Sequence, residues 1–136
     1  MMYPNPFMHT TTTGGGALAC SAAISAIHVT LRERLWEQAA DKGEYLINNL
    51  NKLAEQYPEI YEKITGKGLL IGMHFKNPET GYKVASGLFK RNVLVAGTLT
   101  SAQTIRIEPP LVVTQEQMDT LLDRLGEVLK EISRTM

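Results

Sequence analysis

Two stripes of apolar residues at three- and four-residue steps organise the chain. Trp36, Ala39, Ala40, Gly43, Ile47, Leu50, Leu53, Ala54 and Tyr57 mark the first. They predict an amphipathic helix over 36–56, ended by Pro58. Met118, Leu121, Leu122, Leu125, Val128, Leu129 and Ile132 mark the second, a C-terminal helix. Thr114 and Gln117 stand at the spacing of a capping box at its start. A third segment, "ALACSAAISAIHVTL", has no stripe: it is alanine-rich, almost uncharged and apolar nearly all round. It predicts a helix from about 16 to 34 that is buried on several sides, with His28 as a packed residue. So short a chain offers little to cover it. The cover is expected from a second copy or from protein outside this sequence.

Between the two stripes the period shortens. "GLLIGMHF" (68–75), "VLVAG" (93–97) and "TIRIEP" (104–109) predict strands, the last stopped by Pro109 and Pro110, which cannot donate to a ladder. "NPETG" (77–81) reads as a turn cluster and "YKVASGLFKRN" (82–92) as a short helix. From residue 36 the order is helix, strand, helix, strand, strand, helix. The short gap between the last two strands favours an antiparallel pair. The fold class is α+β, a small sheet with helices on one face. The lead-in "MMYPNPFM" (1–8) is proline-punctuated and expected to be extended or turning.

Composition narrows the function classes. The 136 residues are 43% hydrophobic and 21% charged, which fits one globular domain with a modest core. Fourteen basic and fourteen acidic residues cancel, against a nucleic-acid surface or an anionic membrane surface. No apolar stretch approaches the roughly 20 residues of a membrane span. The single Cys20 cannot form an internal disulfide, and no signal-peptide order opens the chain, so a cytoplasmic setting is expected.

Two stretches carry candidate chemistry. "HTTTTGGGALAC" (9–20) sets threonine hydroxyls and glycine backbone N–H groups just before a helix N-terminus, a layout that suits a phosphate. It lacks the GxxxxGK[ST] order of a Walker loop. A flexible lead-in with a threonine helix cap is the plainer alternative. In "TIRIEPPL" strand alternation puts Ile105 and Ile107 on one face and Arg106 and Glu108 on the other. Arg106 could fork a carboxylate, or simply pair with Glu108 at the surface. Lys67, between glycines, reads as a solvated turn lysine. His9, His28 and His74 with one cysteine show no metal-ligand spacing.

Three stretches in register resemble a known family. "HTTTTGGGALAC" (9–20), "GKGLLIGMHF" (66–75) and "NVLVAGTLTSAQTIRIEPPLVVT" (92–114) are similar, in order and spacing, to the C-terminal part of class III pyridoxal-phosphate aminotransferases. The last stretch looks most like the putrescine (diamine) branch; acetylornithine, ornithine and 4-aminobutyrate enzymes share the looser pattern. The resemblance covers the chain from about residue 4. It implies the small C-terminal domain of a fold-type I enzyme over 31–136, with the end of the large cofactor-binding domain over 1–30. It also implies a homodimer in which Thr12, with Thr11 as a weaker candidate, hydrogen-bonds the cofactor phosphate of the neighbouring subunit. Arg106 would grip the carboxylate of 2-oxoglutarate or glutamate. The family usually has Phe or Tyr where Thr13 stands and Asn-Pro where Gly16 and Ala17 stand.

Family members also carry a long N-terminal portion with the lysine that bonds the cofactor, the acidic partner of the pyridine nitrogen and most of the phosphate cup. No lysine here sits in the matching motif. The resemblance therefore implies a fragment that contributes a phosphate ligand and a carboxylate clamp but no catalytic residue, and that is inactive alone. The reaction expected of the complete enzyme passes an amino group from a diamine to 2-oxoglutarate through pyridoxal phosphate. A stand-alone α+β binding or interaction module, keeping the fold without the catalysis, is the alternative. An unrelated ferredoxin-like regulatory domain would leave "HTTTTGGG" unexplained.

Overall fold

The computed structural model describes residues 11–98 and 101–136. The lead-in over 1–8, His9 and Thr10 lie outside the described residues. The chain forms two compact units, 1–34 and 35–136.

In the first unit helix α1 (Ala17–Arg32) starts from Gly16 as N-cap and ends at Glu33. None of its residues is buried, and Leu18 is 87% exposed. Nothing among the described residues of this unit covers the helix, and His28 is exposed; the expected cover, a second copy or protein outside this sequence, is not part of the structure. Among its described residues one helix preceded by a turn has no second element to bury an apolar face against.

The second unit contains helix α2 (Leu35–Gln56), strands β1 (Tyr61–Lys67) and β2 (Leu70–Phe75), helix α3 (Pro78–Lys90), strands β3 (Ala96–Gly97) and β4 (Thr104–Ile107), and helix α4 (Gln115–Ser133). The sheet has the order β1-β2-β4-β3, with every neighbouring pair antiparallel. The β3–β4 pairing agrees with the short gap between those strands. One face of the sheet turns Ile71, Met73, Phe75, Ile105 and Ile107 into the core. There they join Leu46 and Leu50 of α2, Val84 and Leu88 of α3, and Leu125, Val128 and Leu129 of α4. Tyr61 and Phe75 stack at 5.0 Å between ring centroids, and burial pushes the Tyr61 phenol up. Arg91 at the end of α3 ties that helix to α4 through Glu127 at 2.9 Å and through Glu131.

Four details depart from the sequence reading. Strand β1 is an additional strand. Strand β2 begins at Leu70 rather than at 68, because Gly68, at φ +56°, makes the turn between β1 and β2. The cluster "NPETG" starts a helix instead of turning. Asn77 is the N-cap and accepts the Thr80 N–H at 2.8 Å, and Pro78 supplies the fixed φ of a first turn. Helix α3 therefore runs over 78–90, not 82–92. Finally, only Ala96 and Gly97 of "VLVAG" pair, while Val93 and Val95 pack against the core.

Helix α2 approaches the β1–β2 turn so closely that a Cβ on Gly43 would stand 2.2 Å from the Gly68 carbonyl oxygen. Helix α4 carries the expected capping box: Thr114 Oγ1 accepts the Gln117 N–H at 3.3 Å, and Gln117 Oε1 accepts the Thr114 N–H at 3.0 Å. Thr114→Ala is expected to cost about 1 kcal/mol and to lower Tm by about 5 °C. A Tm unchanged in thermal unfolding would mean that the box does not hold the helix start.

Candidate functional site

The candidate residues fall in different units, and each is described within its own. In the first unit the segment 11–14 is a turn. The Gly14 N–H donates to the Thr11 carbonyl at 3.4 Å and the Gly16 N–H to the Thr13 carbonyl at 3.1 Å. Gly15, at φ +78°, supplies backbone angles that a side chain would strain. Thr12 occupies a central position of the turn, and both Thr11 and Thr12 are exposed. The alternative of a threonine helix cap is not formed: the N-cap is Gly16, with no side-chain cap bond. The Thr12 hydroxyl is thus not committed to starting the helix. An exposed hydroxyl on a glycine-rich turn is chemically suited to donate to a phosphate oxygen.

In the second unit Arg106 stands on β4 with its side chain on the sheet face opposite the core. Its neighbours Ile105 and Ile107 are 2% and 3% exposed on the other face, as alternation requires. The guanidinium has two loose contacts, to Glu108 Oε1 at 3.5 Å and to the Gly97 carbonyl at 3.4 Å. The surface pair with Glu108 therefore exists, between half-exposed partners, and such a pair is worth below about 1 kcal/mol. Arg106 Nε is buried and has no hydrogen-bond partner among the described residues. A buried donor left unmet costs about 1–3 kcal/mol, so an oxygen brought to Nε would be strongly held.

Arg106 also lines a groove of about 750 Å³ between the segment 92–96, the segment 106–110 and the N-terminal half of α4. Its wall is apolar through Val93, Val95, Pro109 and Met118, with Arg124 as a second cation. Tyr45 of α2 donates to Asp119 of α4 at 2.5 Å, and that carboxylate raises the Tyr45 phenol pKa. Lys67 is exposed at the end of β1, as expected of a turn lysine.

One polar cluster escapes sequence reasoning. His74 Nε2 meets Thr65 Oγ1 at 2.9 Å, and its Nδ1 meets Thr104 Oγ1 at 3.1 Å, on the same sheet face as Arg106. The signal available was the alternation of Gly72 and His74 with buried Ile71, Met73 and Phe75. The partner Thr65 lies in the strand that was not anticipated.

The Aminotransferase class-III family matches residues 1–129. A putrescine aminotransferase of Pectobacterium atrosepticum is 46% identical over 136 residues, which is all of this chain and 29% of that protein. An acetylornithine aminotransferase from Elizabethkingia anophelis superposes with a TM-score of 0.82 at 31% identity, covering 90% of this chain and 32% of that one. An ornithine aminotransferase from Toxoplasma gondii gives a TM-score of 0.82 at 26% identity, over 96% of this chain and 31% of that one. The chain spans less than a third of the length of these relatives. The four-stranded antiparallel sheet with its helices matches a domain of fold-type I transferases.

Proposed function

This chain belongs to the class-III aminotransferase family, and from that premise we propose that it forms part of an enzyme moving an amino group from a putrescine-like diamine to 2-oxoglutarate. The observation that carries the reading is Arg106: a fork of donors on the open sheet face, held only loosely by Glu108, with a buried Nε–H unmet. A substrate carboxylate fits that donor set, since it accepts two parallel N–H bonds from a guanidinium. A diamine has no carboxylate, so Arg106 would serve the 2-oxo acid and the amino acid formed from it. The 46% identity to a putrescine aminotransferase over the whole chain supports the diamine as donor.

The family implies pyridoxal phosphate. Thr12, exposed on its glycine turn, would donate to the cofactor phosphate across a homodimer, with Thr11 as a weaker second donor. Bound there, the cofactor supplies an electron sink at the carbon bearing the amino group. In this reading residues 1–30 close the large cofactor-binding domain and 31–136 form the small domain. The exposed apolar surface of α1 is then covered by the large domain. These residues bind and orient; the proton-transferring lysine belongs to another part of the enzyme, and the 136 residues alone do not turn over. No helix among the described residues is long and apolar enough to cross a membrane. The single Cys20, which has no disulfide partner in the sequence, supports a reducing, cytoplasmic setting.

The test is a transamination assay on the complete enzyme with 2-oxoglutarate and a panel of putrescine, ornithine, acetylornithine and 4-aminobutyrate. Putrescine is expected to give the highest kcat/KM. A preference for an amino acid donor overturns the diamine assignment. Turnover by the 136 residues above the free-cofactor background overturns the assignment of the chemistry to another part of the enzyme.

A further inference from the structure

The sheet face that carries Arg106 is ordered in rows by the strand pairing. Lys63, His74 and Thr104 form one row; Thr65, Gly72, Arg106 and Ala96 form the next. His74 belongs to the first row but reaches into the second, where its Nε2 meets Thr65. The imidazole thereby lies across Gly72, the residue paired with Arg106. A Cβ on Gly72 would come within 3.3 Å of His74 Nε2 and 3.2 Å of Thr65 Oγ1. Glycine leaves a bare patch beside Arg106, and the ring fills it.

Thr104 Oγ1 lies between His74 Nδ1 at 3.1 Å and Ser101 Oγ at 3.1 Å, and Thr65 Oγ1 meets the other ring nitrogen at 2.9 Å. Ser101 is anchored in turn, its N–H to Thr98 Oγ1 at 3.1 Å and its carbonyl accepting from the same hydroxyl at 2.6 Å. One ring thus joins β1, β2 and β4 two residues before Arg106.

We propose that His74 is a positioning residue for carboxylate recognition: by covering Gly72 and bridging Thr65 to Thr104, it keeps the Arg106 guanidinium on the β3 side of the sheet face. Without the ring, Arg106 can fold back over Gly72 toward β1, and a carboxylate meets a dispersed fork instead of a fixed one. The inference rests on the reading of Arg106 as the carboxylate clamp.

The complete enzyme with His74→Ala tests it. KM for 2-oxoglutarate is expected to rise roughly five- to tenfold, with kcat and the KM for putrescine held within about twofold. Affinity for glutarate, an unreactive dicarboxylate, measured by titration calorimetry, is expected to fall by the same factor. Thr65→Val removes one partner at an exposed position without touching the core, and is expected to move both quantities in the same direction by a smaller factor. His74→Gln, which can still donate and accept, is expected to restore most of the affinity. If Arg106→Ala weakens 2-oxoglutarate and glutarate while the His74 and Thr65 variants do not, the positioning role is overturned and the clamp stands. If Arg106→Ala leaves both unchanged, the clamp itself fails. Equal rises in both KM values for His74→Ala would show a merely structural residue and also overturn the proposal.

Discussion

Arg106→Ala in the complete enzyme is expected to raise KM for 2-oxoglutarate about 100-fold and to leave the step with putrescine near its normal rate. Two charge-assisted N–H bonds to a carboxylate, at about 1.5 kcal/mol each, give about 3 kcal/mol, and every 1.4 kcal/mol is tenfold. The asymmetry follows from the substrates, because a diamine offers nothing to a guanidinium. Arg106→Lys is expected to recover only part of the loss, since a lysine keeps the charge but not the planar fork. Stability should hold or rise, because the half-exposed Glu108 pair at 3.5 Å contributes little and the unmet buried Nε–H is removed with the side chain. Pre-steady-state measurement of the two half-reactions separates these effects. An equal loss in both would place Arg106 outside carboxylate recognition.

Gly43→Ala is expected to unfold the second unit more readily, and it sets two magnitudes against each other. Helix propensity favours alanine by about 1 kcal/mol at an interior position. Packing opposes it: the new Cβ would stand 2.2, 2.3 and 2.5 Å from the oxygen, carbon and Cα of Gly68. These are backbone atoms of a turn held between β1 and β2, and Gly68 is itself at φ +56°, so no side chain can swing aside. Overpacking of this kind costs about 3 kcal/mol or more, which leaves a net loss of about 2 kcal/mol. For a unit of this size Tm should fall by about 10 °C. Asn51→Ala, on an exposed position of the same helix, is the control and should hold or raise Tm. A Gly43→Ala variant that is stabilised would mean that propensity governs and that α2 does not seat on the turn.

The two helices with clear stripes and the strand bearing Arg106 were legible because burial there is one-sided and periodic. Helix α4 even announces its start, as Thr114 and Gln117 satisfy each other reciprocally. Strand β1 was not legible, and the reason is its place at the sheet edge. Of "YEKITGK" only Tyr61 and Ile64 turn toward the core, while Glu62, Lys63, Thr65 and Lys67 are exposed. Polar side chains of this kind keep an edge from pairing with another chain, and they also erase the apolar signal of a strand. "NPETG" misled because asparagine and proline serve turns and helix starts alike; the Thr80 N–H on Asn77 decides between them. The run "VLVAG" has strand composition, yet two of its valines fill the core instead of joining the ladder.

The candidate site was legible in part. Alternation alone put Arg106 opposite Ile105 and Ile107. What could not be read is the state of its fork, since an unmet Nε–H depends on every neighbour at once. The same holds for His74, which is made significant by two threonines 9 and 30 residues away in sequence.

The strand order β1-β2-β4-β3 also bears on the sequence of events by which the chain acquires its shape. Strands β1 and β2 are joined by a turn at Gly68, and α2 sits on that turn. These three elements are contiguous, so they can associate with little loss of loop entropy. Strand β4 must instead cross over α3 and β3 before it docks beside β2, and α4 comes last of all. During synthesis Leu46, Leu50 and Phe75 therefore wait for Leu125, Leu129 and Ile132, the last core residues of this sequence to leave the ribosome. The final helix closes the fold, and a chain that stalls before residue 115 leaves that apolar face open to chaperones and to other unfinished chains.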